Sequence, residues 1–286
     1  MALASRDKTI RLVLVFSLLT GLFALLPYYL TIELGLRRYY VALLMWTPAL
    51  GAFATCKIYK IRISDLGWKW PSLSFNLWAY VLPAIYGIIA YGIIWISGFG
   101  GLFDHGFIKE LGSLFALYGW SKSSTLIFGI IMLSTVGMLW NLITSLGEEI
   151  GWRGFLTPVL MERFSFPATS IITGLLWSLW HIPLILYTNY NAGPYDLHIQ
   201  LINFTLGYIG LSFIMTYLRV RSASVWPATV LHAAHNTFIL YILQPMTVKY
   251  EGTAFYAGEF GIVMPMVLLI LAGFVWYRYN QKSQSV

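Results

Sequence analysis

Apolar residues run along this chain in blocks too long and too evenly apolar to be one face of a soluble helix or a half-buried strand. They lie at about 12–32, 39–56, 77–97, 123–161, 168–188, 201–218, 224–243 and 261–277, each near or above the roughly 20 residues an α-helix needs to cross a hydrocarbon core. Backbone N–H and C=O groups find no water at that depth, so the blocks read as helices that satisfy their own backbone. The pattern predicts an all-α polytopic membrane helical bundle of about eight transmembrane helices, forming a single integral membrane domain over 1–286. The connections between blocks are short. The longest are 57–76, where Trp68 and Trp70 beside Lys69 read as an interfacial anchor, and 98–122, where Asp104, His105, Lys109 and Glu110 read as solvated loop residues.

The block 123–161 is long enough for one extended or broken helix, or for a tight pair, and the distribution of Lys and Arg arbitrates. With a cytoplasmic N-terminus and a single crossing there, only Arg37, Arg38, Lys109, Lys122 and Lys249 of the 18 Lys and Arg fall outside. Two crossings would turn most of the basic residues outward. One crossing is therefore expected, with N- and C-termini both cytoplasmic. The first block lacks an Ala-x-Ala-like cleavage site and reads as a retained helix.

Composition sharpens this picture. The chain is 58% hydrophobic and only 10% charged, so each charge inside an apolar block needs a reason. The net charge of +7 is accounted for by basic cytoplasmic loops facing anionic lipid; no basic patch interleaved with aromatics suggests nucleic acid, and the expected partner is the lipid bilayer. Cys56 is the single cysteine, which excludes a disulfide framework and a thiolate metal site and leaves it a packing role.

Between Ser123 and Met161 the only ionisable residues are Glu148, Glu149 and Arg153, inside Gly147-Glu148-Glu149-Ile150-Gly151-Trp152-Arg153-Gly154. Such a group at membrane depth costs about 2.5–3.5 kcal/mol on insertion scales and marks a functional site by default. Glu149 and Arg153 stand four apart on one helical face, in the favourable order for an ion pair. Glu148 is left without a sequence-local partner. Two other blocks carry histidines: Trp177-Ser178-Leu179-Trp180-His181 and His232-Ala233-Ala234-His235-Asn236. At about 1.5 Å per helical residue, Glu148, His181 and His232 all lie roughly 16–20 Å from the cytoplasmic edge and can share one layer. His232 and Asn236, four apart, project from the same face, with His235 rotated but adjacent.

These three clusters resemble, in order, the signature of the type II CAAX prenyl protease and bacteriocin-processing family, the intramembrane glutamic or abortive-infection proteases. That signature is Glu-Glu-x-x-x-Arg, then aromatic-x-x-x-His, then His-x-x-x-Asn, each on its own helix. The resemblance covers about 120–243, taken as the catalytic core, and departs from the pattern at Trp177, where the family more often has Phe. It implies an intramembrane endopeptidase in which Glu148 and His181 activate a water while His232 and Asn236 hold the oxyanion. Peptide hydrolysis by water needs such a set: a base for the water's proton, an acid for the leaving amine, and donors where negative charge forms. Glu149 and Arg153 take a supporting role, as a pair that orients Glu148, and His235 is divided between the site and a helix-to-helix hydrogen bond. No cofactor is expected.

Two rivals stay open. Glu148, His181, His232 and His235 could ligate zinc in a membrane metalloprotease, although no His-Glu-x-x-His is present. A non-catalytic immunity or transport protein could use the same buried charges as a proton or substrate path. Serine and aspartyl intramembrane proteases are disfavoured: Gly210-Leu211-Ser212-Phe213 lacks the second glycine of a Gly-x-Ser-Gly turn, and Asp196 lies in an outer loop. The substrate is expected to be a peptide or membrane protein, prenylated or not, in the cell membrane of a prokaryote or the endoplasmic reticulum membrane of a eukaryote.

Overall fold

The computed structural model describes residues 2–193 and 195–283. In chain order its helices are α1 (Ala2–Glu33), α2 (Arg38–Met45), α3 (Thr47–Tyr59), α4 (Leu73–Ile96), α5 (His105–Leu114), α6 (Lys122–Met132), α7 (Met138–Glu149), α8 (Thr157–Met161), α9 (Phe166–Tyr187), α10 (Leu197–Ser222), α11 (Trp226–His235), α12 (Gln244–Met246), α13 (Thr253–Tyr256) and α14 (Val263–Ser283). A two-residue antiparallel ladder pairs β1 (Gly101–Leu102) with β2 (Thr247–Val248). Wider π turns continue α6 into α7 (Leu133–Gly137), α7 into α8 (Ile150–Leu156) and α11 into α12 (Asn236–Leu243).

Seven helical stretches among the described residues are long and apolar enough to cross a membrane, so the chain is an integral membrane protein. Lys122–Met161 is one of them, a single rod with no reversal, as the basic-residue distribution requires. The difference from the expected eight lies at 224–243. That block is helical, from α11 through its π turn into α12, but it is not in the apolar set. His232, His235 and Asn236 lower its hydropathy, because the same residues that make it chemically interesting make it a poor lipid-facing span. The connection 98–122 also differs: it contains β1 and α5, with Asp104 capping α5 through Phe107 N–H at 2.8 Å. A capping carboxylate followed by an amphipathic run is a helix start, which the short polar stretch concealed.

Local chemistry explains the main boundaries. Ser165 caps α9 through Ala168 N–H, with Pro167 in the first turn. Asp196 caps α10 through His198 and Ile199 N–H. Trp46 separates α2 from α3, and α3 begins with Pro48 in its first turn. Packing is close where α7 and its π turn cross α2 and α3. A Cβ on Gly147 would stand 2.8 Å from the Met45 carbonyl oxygen, and one on Gly151 would stand 2.7 Å from the Pro48 carbonyl. Small residues four apart let helix backbones approach within the membrane, and these two flank Glu148 and Glu149. α10 lies at the centre, packed on α9, α14 and α11.

Candidate active site

Glu148 and Glu149 end α7, and the π turn that follows is buried throughout. Pro158, just past its C-terminal end, has no N–H and crowds the carbonyl four residues earlier. Thr157 N–H reaches back five residues to the Trp152 carbonyl, which also accepts from Thr157 Oγ1 at 2.9 Å. The Arg153 carbonyl is then left without a backbone donor from either Thr157 or Pro158. Arg219 of α10 fills the gap, its Nε donating to that oxygen at 2.9 Å. A residue that sequence counts only as a cytoplasmic charge thus completes the helix carrying the carboxylates.

Consecutive helical residues diverge by about 100°, so the two glutamates face different surroundings. Glu149 is wholly buried; its Oε1 accepts from Arg153 Nη1 at 3.1 Å and from His232 Nδ1 at 2.9 Å. The i, i+4 ion pair forms, but the group that Glu149 orients is His232 and not Glu148. Arg153 is fixed further by Nη2 donating to Ser212 Oγ at 2.9 Å and by stacking of its guanidinium 4.3 Å over the Trp177 ring. Glu148 is held by Trp177, whose Nε1–H donates to Oε2 at 2.5 Å. One indole therefore covers the cation and grips the other carboxylate. An aromatic without an N–H could do only the first, so the departure at Trp177 changes how Glu148 is held.

Glu148, His181, His232 and Asn236 line one cavity of about 710 Å³. His181 donates from Nδ1 to the Trp177 carbonyl at 2.9 Å, which leaves Nε2 as the ring nitrogen with a lone pair, 3.5 Å from the Tyr208 hydroxyl. His232 uses Nδ1 on Glu149 in the same way, so its Nε2 is uncommitted. Such second partners set tautomer and ring orientation. The far wall is apolar, with Leu133, Val136 and Leu240, and the cavity reaches Arg38 and Glu110 beside α2 and α5. His235 does not line it. Its Nδ1 meets the Tyr86 hydroxyl at 2.6 Å, and its Nε2 stands 3.7 Å from Glu259 Oε1.

Glu259, Tyr190 and Tyr208 also line the cavity, and sequence reasoning passed over all three. Tyr190 donates to Glu259 Oε2 at 2.9 Å and Tyr208 to Oε1 at 3.4 Å. The signal was present: Glu259 is a lone carboxylate at the edge of the last apolar block, within Glu259-Phe260-Gly261-Ile262. Burial pushes its carboxyl up, but the His235 ring and the Tyr190 hydroxyl outweigh this and hold it below its ordinary value. Burial, followed by the charge of Glu259, pushes the Tyr190 hydroxyl well above its ordinary value, so it remains a donor. Among the described residues, no three His, Cys, Asp or Glu side chains come together as a metal-binding group.

A polytopic helical membrane protein with buried carboxylates and two histidines on one internal cavity is the class these observations define. Residues 131–238, which hold every member of the three clusters, match the sequence model of the Rce1-like type II CAAX prenyl endopeptidases. This segment is similar to that family. It is 36% identical over 94 residues to CAAX prenyl protease 2 of Methanococcus maripaludis, an alignment covering 31% of this chain and 34% of the relative. The chain thus spans about a third of the length of the curated relative it matches.

Proposed function

We propose that this protein is an intramembrane endopeptidase that hydrolyses a peptide bond with a water activated by Glu148 and His181. The carrying observation is that Glu148, fixed at one oxygen by Trp177, shares a cavity with His181, whose lone pair lies on Nε2, and with His232 and Asn236. Glu148 takes a proton from the water as its oxygen attacks the carbonyl carbon. The proton passes by way of His181 to the leaving amine nitrogen as the C–N bond breaks. Asn236 donates to the oxyanion without titrating. His232 donates from Nε2 when it carries both ring protons, a state that Glu149 at Nδ1 compensates. Preorganised donors of this kind act strongly in a water-poor site. Arg153 keeps Glu149 in place.

The substrate class follows from the cavity and the relative's name: a membrane-associated or lipidated peptide, with prenylated C-terminal tails the first to try. The apolar wall fits a lipid-like chain beside the scissile bond. The test is cleavage of farnesylated CAAX peptides and matched unprenylated peptides by the purified protein in detergent, with and without chelator. Glu148→Gln, matched for thermal stability, is expected to lose about 10²–10⁴ in turnover, the usual contribution of a general base. Chelator-insensitive cleavage that this variant abolishes supports the reading; chelator-sensitive cleavage replaces it with a metalloprotease. An unimpaired Glu148→Gln removes the glutamate from the mechanism.

A further inference from the structure

The cavity contains a second buried carboxylate that the hydrolytic scheme does not use. Glu259 lies outside the family-matched segment, in the connection between α13 and α14, yet it is buried and faces the same space as Glu148. Its two oxygens accept from different phenols, Oε2 from Tyr190 and Oε1 from Tyr208. The Tyr208 hydroxyl is also 3.5 Å from His181 Nε2. A phenol has one proton to donate and lone pairs to accept with, so it can serve only one of these neighbours as donor at a time.

We propose that Glu259 is a positioning residue for His181, acting through the Tyr208 hydroxyl. The inference deepens the hydrolytic reading above and rests on it for the role of His181. While His181 is neutral, Nε2 offers a lone pair and Tyr208 donates to it. When Nε2 takes the water-derived proton, Tyr208 turns its O–H to Glu259 Oε1 and presents an oxygen lone pair to Nε2–H. No proton leaves Tyr208, and Glu259 supplies the negative charge that compensates the imidazolium. Tyr190 keeps Glu259 in register from its other side. The ring of Tyr208 is itself fixed, 4.3 Å from Trp177 and stacked 4.1 Å from Phe204 between ring centroids, so the hydroxyl rotates while the ring stays.

Glu148 of α7 and His232 of α11 line the same cavity, and the ring of Tyr190, from the connection between α9 and α10, is stacked on His181 at 6.1 Å between centroids. From α1, the Tyr28 hydroxyl is committed to the Trp180 carbonyl.

The test does not depend on cleavage. The chain has five histidines, few enough for the ring ¹⁵N resonances of the full-length protein in nanodiscs to be assigned with His→Gln variants and titrated. In Glu259→Gln, the proton affinity of His181 is expected to fall about tenfold, roughly one pH unit. Tyr208→Phe is expected to do much the same, and the double variant no more than the larger single change, the mark of two residues in one path. His235, 3.7 Å from Glu259, should respond to Glu259→Gln and not to Tyr208→Phe. An unchanged His181 titration in either variant, or strictly additive effects, overturns the proposal. In cleavage assays Glu259→Gln should lower kcat about tenfold at unchanged KM, whereas a merely structural residue would lower thermal stability without that split. If the wild type cleaves no peptide while the coupled titration stands, the hydrolytic reading fails and the relay survives.

Discussion

One helical rod, Lys122–Met161, contains two π turns with opposite surroundings. The first, Leu133–Gly137, has no buried residue, and its neighbouring hydroxyls explain it: Ser134 and Thr135 both donate to the Ile131 carbonyl, at 3.2 and 2.6 Å. Hydroxyls inserted into the helix ladder commonly bend it. The second, Ile150–Leu156, is buried along its whole length and runs up to Pro158. Its freed carbonyl is satisfied from another helix by Arg219, and its flanking carboxylates by Arg153, His232 and Trp177. The same local distortion is thus inexpensive where its residues are exposed or half-buried and demanding where they are fully buried. Burial, not backbone geometry, separates a bend from a site.

Breaking the inner turn should cost far more than breaking the outer one. Arg153→Met leaves the Glu149 carboxylate buried beside a histidine alone, and loss of one partner from a buried pair costs about 3–5 kcal/mol; thermal unfolding in detergent should show the largest fall of the series. Trp177→Phe keeps an aromatic over Arg153 but removes the donor to Glu148. Hydrogen bonds to charged groups contribute about 1.5–3 kcal/mol, so turnover is expected to drop more than melting temperature does.

Arg219→Met leaves the Arg153 carbonyl unsatisfied, at about 1–3 kcal/mol, and hydrogen exchange should rise at Arg153–Thr157 before it rises elsewhere. Thr135→Val in the outer turn removes a hydroxyl bond at an exposed position and should change stability by no more than about 0.5 kcal/mol. Equal effects of Arg219→Met and Thr135→Val would erase the distinction between the two turns.

The comparison also shows where sequence reading had purchase. Glu149 and Arg153 meet because four residues of helix separate them, a local relation that spacing alone supplies. His232 and Asn236 share the cavity for the same reason. Glu149 was expected to steady Glu148; instead it meets His232, 83 positions along the chain, because adjacent helical residues point apart. The π turn could have been suspected from Pro158 but not its closure by Arg219, 66 residues away.

Sequence alone determined that this is a helical membrane protein, which residues are polar within apolar blocks, and how far along their helices they lie. Those properties follow from transfer free energy and from the fixed rise of a helix, and both are written residue by residue. Only the tertiary structure decided that Trp177 holds Glu148, that Glu149 turns to His232, and that Glu259 joins the cavity from outside the family-like core. Each of these contacts depends on how helices dock. Docking is set by glycine-lined crossings such as Gly147 and Gly151 against α2 and α3 and by packing over many side chains at once, so no single spacing along the chain encodes it.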